Sequence, residues 1–323
     1  MIDSVKIRNF KSVKEISLTN CKDINLIIGR PNVGKSNILE ALSLFDVPYL
    51  IGSKTKSLKS LIRLDNASEL FHNGESNKFI EVKVDDQILS LFRTQYGLSL
   101  EIDDKEAVSQ YSFNSSLQLT TKRAPDYLPS ILTYFFPRHF ESDQSNYNLL
   151  VPPSGSNLSE IVSHLPLLKE ELADLFHSFG LKLVFDKATS QIKAMKETGH
   201  DMFLVPFTAL SDSLQRLIFY RAAIRSNKEK VLCFEEPEAH TFPPYISNIV
   251  NDIIECRDNQ FFISTHSPYV ANSLIESAGK RIALFIVDIK DNSTVVKRLD
   301  DSDLQNIYDN GLDMFFNIDY FED

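Results

Sequence analysis

A chain of 323 residues with 43% hydrophobic and 24% charged residues, 10 glycines and 13 prolines has a globular composition, which excludes disorder as its main state and any collagen-like architecture. Thirty-four basic residues against 44 acidic ones give a net charge of -10, which disfavours whole-surface attraction to nucleic acid or an anionic membrane but leaves room for a local basic groove. The apolar run around Tyr127 to Pro137 is too short for a membrane helix, the N-terminus MIDSVKIRNF lacks a signal peptide's apolar core, and Cys21, Cys233 and Cys256 are too scattered for a disulfide framework or zinc knuckle; the expectation is a cytoplasmic chain with no membrane partner.

In chain order, the pattern predicts a strand over Ser4–Phe10, a second over Ile24–Ile28, then a glycine turn and a helix from Lys35 to Leu44. Ser53–Glu75 is mixed and polar, while Phe79–Val84, Ile88–Thr94 and Leu98–Ile102 read as an antiparallel meander. Residues 103–125 are polar and weakly periodic, Ser130–Phe136 reads as a buried strand and Glu141–Asn148 as a loop. Past Pro152 and Pro153, apolar positions from Leu158 to Leu175 keep a helical period to about Ser178, with Asn157 as cap and Pro166 splitting the run. A hairpin of Leu181–Phe185 and Gln191–Met195 follows, then helix Ser211–Arg225, strand Val231–Phe234, helix Tyr245–Cys256 and strand Gln260–Ile263. The end reads as strands Ile282–Val287 and Ser293–Val296 with a helix near Leu304. Such an order implies an α/β core interrupted by a second lobe, with residues 1–130 and 229–323 as the core and 131–228 as the insert.

Four short segments carry chemistry. Gly29-Arg30-Pro31-Asn32-Val33-Gly34-Lys35-Ser36 matches GxxxxGK[ST], a loop whose backbone N–H groups and helix N-terminus surround a triphosphate. In it Lys35 reaches the β and γ phosphates, and the Ser36 hydroxyl completes a magnesium shell. Val231–Phe234 ends abruptly in Glu235 and Glu236, as expected of a buried parallel strand delivering carboxylates to its edge: Glu235 to magnesium, Glu236 to the attacking water. Phe261–Ile263 likewise runs into Ser264-Thr265-His266-Ser267-Pro268, where His266 can donate to a γ-phosphate. In Ala209-Leu210-Ser211-Asp212-Ser213-Leu214-Gln215, Ser211 or Asp212 caps a helix whose N-terminus could equally bind an anion, and Gln215 stands at N3 if Asp212 is the cap.

These four elements in this order resemble the ATP-binding-cassette heads of the structural-maintenance-of-chromosomes, RecF and OLD (overcoming lysogenisation defect) group, over most of residues 1–45 and 205–275. The opening Ile7–Ser12 (IRNFKS), the FEEPEAH turn with Glu in place of the usual Asp, the STHSP turn and PPSGSNLSE (Pro152–Glu160) add to the likeness. The resemblance implies a P-loop NTPase of ABC type, with a mixed sheet core, the meander and the inserted helical lobe. It further implies ATP and Mg2+ as cofactors, with Lys11, Gly29, Asn32, Val33, Gly34, Lys35, Ser36 and Asn37 on the nucleotide. A head-to-tail homodimer, or a higher oligomer built on it, would set Ser211, Ser213 and Gln215 of one subunit against the other's phosphate loop, with Glu238 and His240 on the contacting turn. Ser213 departs from the usual glycine, either obstructing the γ-phosphate or offering it a hydroxyl. No glutamine stands ready for magnesium, and Asn73, beside His72, is the candidate in its place. With no heptad run for a coiled-coil arm and about fifty residues after STHSP, the expectation is an effector on a separate chain, bacterial anti-phage defence being the setting suggested. The competing readings are a RecF-like clamp in DNA repair, with nucleic acid at Lys54, Lys56, Lys59 and Arg63, a transporter cassette, and a scaffold that binds nucleotide without turnover.

Overall fold

The computed structural model describes residues 1–105, 107–123, 129–140, 147–300, 302–304, 314, 315 and 317. The chain opens with β1 (Val5–Phe10), β2 (Val13–Leu18), β3 (Ile24–Ile28) and α1 (Lys35–Ser43). Four 3-10 turns between Leu44 and Gly74 lead to β4 (Ile80–Val84), β5 (Gln87–Thr94), β6 (Gly97–Asp103), β7 (Val108–Asn114), β8 (Leu119–Arg123) and β9 (Ile131–Tyr134). Then come α2 (Leu158–His164), α3 (Pro166–Ser178), β10 (Lys182–Asp186), β11 (Gln191–Thr198), β12 (Asp201–Pro206) and α4 (Asp212–Ser226). The last part holds β13 (Val231–Glu235), α5 (Pro243–Glu255), β14 (Gln260–Ser264), α6 (Pro268–Ala278), β15 (Ile282–Lys290) and β16 (Ser293–Arg298).

Two compact units result, Met1–Thr133 with Glu229–Glu236 and Arg257–Asp323 in the first, Tyr134–Lys228 with Pro237–Cys256 in the second. The first carries an antiparallel sheet in the order β2-β1-β4-β5-β6-β7-β8 and a mixed sheet in the order β16-β15-β3-β14-β13-β9. Strands β3 and β14 are buried along their whole length, as a parallel strand covered on both faces must be, and their continuous Ile, Leu and Phe runs are the sequence form of that burial. Helix α1 touches β1 of one sheet and β13 and β14 of the other. Ile38, Leu39 and Leu42 share one hydrophobic core with Val5, Val82, Leu89, Cys233 and Phe262.

In the second unit, α4 packs on α2, α3 and α5, and its buried residues, Leu214 to Ile224, surround most of its circumference. Arg221 and Arg225 extend from it to the carboxylates of Glu171 on α3 and Asp252 on α5, at 2.6 to 3.2 Å. Alongside lies a three-stranded sheet in the order β10-β11-β12.

Several elements differ from the sequence reading. The meander continues into β7 and β8 across residues read as polar and weakly periodic, because β7 turns Ser109 inward with Tyr111 and Phe113, and a fully buried serine breaks the apolar alternation. Strand β2 is hidden by its adjacent charges Lys14 and Glu15, β12 by apolar residues exposed in succession with no inward–outward alternation, and α6 by Pro268, which sits at the first helical turn where its missing N–H is harmless. Asn157 holds the N-cap position of α2 without capping it; its amide instead accepts from Val151 N–H at 2.8 Å and donates to Leu149 O at 2.9 Å. The helix near Leu304 and the loop over Glu141–Asn148 lie largely outside the described residues. Among the described residues no helix is long and apolar enough to cross a membrane.

Candidate nucleotide site

Register builds the site. Strand β13 runs parallel to β14 with Glu235 level with Ser264, and β14 runs parallel to β3 with Ser264 level with Ile27. The three chains therefore leave one edge of the sheet in a row, as Glu236, as Thr265-His266 and as the loop that starts at Gly29. Main-chain bonds fix that row: Glu236 N–H donates to Ser264 O at 2.9 Å and Thr265 N–H to Ile27 O at 3.3 Å. Gly29 is demanded by its neighbour, since a Cβ there would stand 2.2 Å from Val287 O.

The loop closes around its own lysine. Lys35 is buried, and its ammonium donates to Gly29 O at 2.9 Å and Arg30 O at 2.7 Å. Burial pulls its pKa down to about 8, against the opposing pull of Glu236 and Glu235. Gly34, at φ 103, caps α1, and its carbonyl accepts Ile38 N–H at 3.2 Å, so the free N–H groups of the first helical turn start at Lys35 and Ser36. Asn32 is exposed at φ 63, a left-handed conformation asparagine tolerates, and Val33 is buried behind it. Ser36 and Asn37 are half-buried, the latter donating from Nδ2 to Ser12 Oγ at 2.6 Å. His266 Nε2 lies 3.5 Å from Glu236 Oε1. Burial, then the nearby Lys35 ammonium, lowers the His266 pKa, with Glu236 opposing, so the imidazole is neutral at pH 7. Glu236 itself is held at φ 42, a conformation that costs a side-chain-bearing residue about 1–2 kcal/mol and so marks a position set by its surroundings.

Arg63, in the sequence one of a basic cluster, bridges two carboxylates of the site in the fold. Its Nη2 donates to Glu235 Oε1 at 2.5 Å and its Nε to Glu40 Oε1 at 2.8 Å. Glu40 is almost fully buried on α1 and also takes the Lys11 ammonium, which further donates to Arg63 O at 2.8 Å. Lys11 is thus directed to Glu40 and not to the loop. A buried carboxylate with two cations is what burial of that charge requires, and the signal for it was legible: Glu40 is an acid on the apolar face of α1, among Ile38, Leu39 and Leu42. The cluster read as a nucleic-acid patch loses Arg63 to this bridge, while Lys59 donates to Asp65 O at 2.8 Å.

Asn73 sits exposed at φ 52 in the 3-10 turn His72–Gly74, whose buried His72 hydrogen-bonds through Nδ1 to Lys11 O at 2.9 Å. Asn73 does not join the hydrogen bonds of the sheet edge among the described residues. The Ser36 hydroxyl and the Glu235 carboxylate offer hard oxygens, the chemistry that suits Mg2+, whose usual shell is one or two carboxylates with substrate phosphates and water. Among the described residues no group of three or more His, Cys, Asp or Glu could hold a metal ion, so such an ion would take its other ligands from Ser36, phosphate and water. Glu235 already carries the Arg63 guanidinium, a charge that Mg2+ would have to share or displace.

The second unit carries the remaining predicted residues. Ser211 is the N-cap of α4, its Oγ accepting Leu214 N–H at 3.4 Å, which puts Gln215 at N4 rather than N3; the Gln215 amide donates to Leu210 O at 2.7 Å. Ser213 Oγ donates to His240 O at 3.1 Å and accepts Phe242 N–H at 2.9 Å, so its hydroxyl ties the first turn of α4 to the turn over Pro237–Phe242.

The family model described as "AAA domain, putative AbiEii toxin, Type IV TA system" matches residues 24–272. An ATP/GTP phosphatase of Helicobacter pylori is 22% identical over 323 residues, covering 83% of this chain and 85% of that protein. A stretch of 45 residues is 49% identical to an uncharacterised protein of Methanocaldococcus jannaschii, covering 14% of this chain and 20% of that one. Among solved structures, an Smc head bound to the C-winged helix domain of ScpA is similar with a TM-score of 0.50 at 15% identity, over 92% of this chain and 98% of that one. The family match runs from β3 into α6 and takes in the whole of the parallel edge just described, so the chain belongs to that AAA-domain family and is a P-loop ATPase with an ABC and SMC-head type of fold.

Proposed function

We propose that this ATPase works as a head-to-tail homodimer in the cytoplasm and that its Mg-ATP cycle switches a separate effector protein in a bacterial defence setting of the toxin–antitoxin kind. The observation that carries the enzymatic part is the register bringing Gly29, Glu236 and Thr265-His266 to one edge, with Lys35 inside the loop. Lys35 and the N-terminus of α1 would bind the β and γ phosphates, and Ser36 and Glu235 would hold Mg2+, whose chemistry is to neutralise phosphate charge. Glu236 accepts the proton of the attacking water as its oxygen bonds to the γ-phosphorus and the bond to the β-phosphate oxygen breaks. Neutral His266 donates an N–H to the γ-phosphate and senses its departure. The Helicobacter relative's name, ATP/GTP phosphatase, supports hydrolysis, and the family's description supports the toxin–antitoxin setting.

The test is ATP turnover and light-scattering mass of the wild type and Glu236→Gln, each with and without duplex and single-stranded DNA. Expected is turnover in the wild type that falls at least a hundredfold in Glu236→Gln, with a dimer accumulating only in that variant under ATP. Absence of wild-type turnover would overturn the enzymatic reading, and a monomer under every condition would overturn the dimer. Turnover that rises several-fold with DNA would make nucleic acid the trigger in place of a protein partner.

A further inference from the structure

Behind the phosphate loop runs a chain of hydrogen bonds whose direction follows from counting protons. Thr294 on β16 is 1% exposed, and its Oγ1 lies 2.9 Å from Val33 O and 2.6 Å from Ser12 Oγ; Ser12 Oγ in turn lies 2.6 Å from Asn37 Nδ2. A carbonyl has no proton, so Thr294 must donate to Val33 O. A hydroxyl has one proton only, so Thr294 must then accept from Ser12, and Ser12 must accept from the Asn37 amide. The relay therefore runs one way, from the first turn of α1 through the β1–β2 turn and β16 to the carbonyl of the loop. Main-chain bonds hold its middle members together, with Thr294 N–H donating to Ser12 O at 2.9 Å.

The far end of the relay sets the aim of a phosphate-binding group. The peptide between Val33 and Gly34 is planar and trans, so its C=O and N–H point in opposite directions. Holding Val33 C=O against Thr294 turns Gly34 N–H away from Thr294, off the other side of the loop. The same contact explains the glycine: a Cβ on Gly34 would stand 2.2 Å from Thr294 Oγ1 and 2.7 Å from Ser12 Oγ.

We infer that Thr294, acting with Ser12, is a positioning residue for nucleotide binding, holding the Val33–Gly34 peptide so that Gly34 N–H is preset toward the phosphates. This rests on the reading of Gly29–Ser36 as the phosphate loop of a working ATPase. The experiment measures ATP and ADP affinity by calorimetry, with KM and kcat for ATP, in the wild type, Thr294→Val, Thr294→Ser and Ser12→Ala, all as full chains. Losing the hydroxyl leaves the Val33 carbonyl without its partner, and the expected result is roughly tenfold weaker binding of both nucleotides in Thr294→Val. KM should rise by the same factor while kcat falls by less than about twofold, the mark of lost binding rather than lost chemistry. Thr294→Ser keeps the hydroxyl and should recover most of the affinity, a rescue that a merely space-filling role would not give. Should Thr294→Val fail to fold, Thr294→Ala removes the same donor with less bulk and is read in the same way, while Ser12→Ala, which leaves the Thr294 hydroxyl on Val33 O, should weaken binding by less. An affinity of Thr294→Val within about twofold of the wild type, or no recovery in Thr294→Ser, overturns the inference. A wild type that binds neither nucleotide overturns the phosphate-loop reading itself, and the inference with it.

Discussion

Lys35 is held in an environment that works against its own charge, and that makes its protonation an observable of nucleotide binding. Burial lowers its pKa to about 8, while a phosphate beside it would restore the ordinary ammonium. The sign follows from linkage. At pH 6.5 the free protein already carries the proton and binding takes up none at this site; at pH 8.5 most of the free protein lacks it, and binding must recruit it from solvent. We expect calorimetry in buffers of different ionisation enthalpy to show net proton uptake on ATP binding near pH 8.5 that vanishes near pH 6.5, with affinity falling as pH rises through 8. Lys35→Arg, which cannot lose its charge in this range, should bind without that slope at pH 8–9, and an unchanged slope in that variant would assign the proton elsewhere. His266 shares the cause but with the opposite consequence for the free protein: its lowered pKa leaves it neutral from pH 7 upward.

At the scale of elements, the Ser213 hydroxyl joins α4 to the turn over Pro237–Phe242. Glycine, the residue the resemblance leads one to expect here, would remove two hydrogen bonds from the first turn of a helix and add backbone freedom. Ser213→Ala should lower stability by about 1 kcal/mol, and Ser213→Gly by roughly a further 0.5–1 kcal/mol, read as a falling urea midpoint at constant slope. A Ser213→Gly protein as stable as the wild type would show the clasp to be idle. Elements were legible in the sequence where one force dominates. The buried parallel strands β3, β13 and β14 announce themselves by unbroken apolar runs, and α1 by the glycine and lysine before it. Those that escaped were shaped by competing demands: β7 buries Ser109, β8 shows mostly polar residues on an edge, and β12 leaves Met202, Phe203 and Leu204 exposed in succession. The site divides in the same way. Gly29, Lys35, Ser36, Glu235, Glu236 and His266 stand in short local strings, whereas Arg63 and Thr294 reach the site only through the fold, Thr294 from 261 positions beyond Val33.

The molecule as a whole places its nucleotide loop and its Ser211 cap in different compact units, the loop in the first and the cap in the second. ATP bound at Gly29–Ser36 would order that loop in the first unit. In a head-to-tail dimer, each bound ATP would also be covered by the Ser211–Gln215 helix start of the other copy, so both units would gain protection together. Hydrogen exchange separates these cases because it reports local opening segment by segment. We expect Glu236→Gln with Mg-ATP to slow exchange in peptides covering Gly29–Asn37 at any protein concentration. Peptides covering Ser211–Gln215 should slow only as the concentration rises through the dimerisation range, since association obeys mass action. Simultaneous protection of both segments in dilute monomer would mean that the two units communicate within a single copy. Protection confined to Gly29–Asn37 at every concentration would mean that ATP binding does not bring two copies together, and the switch would then have to act through the first unit alone.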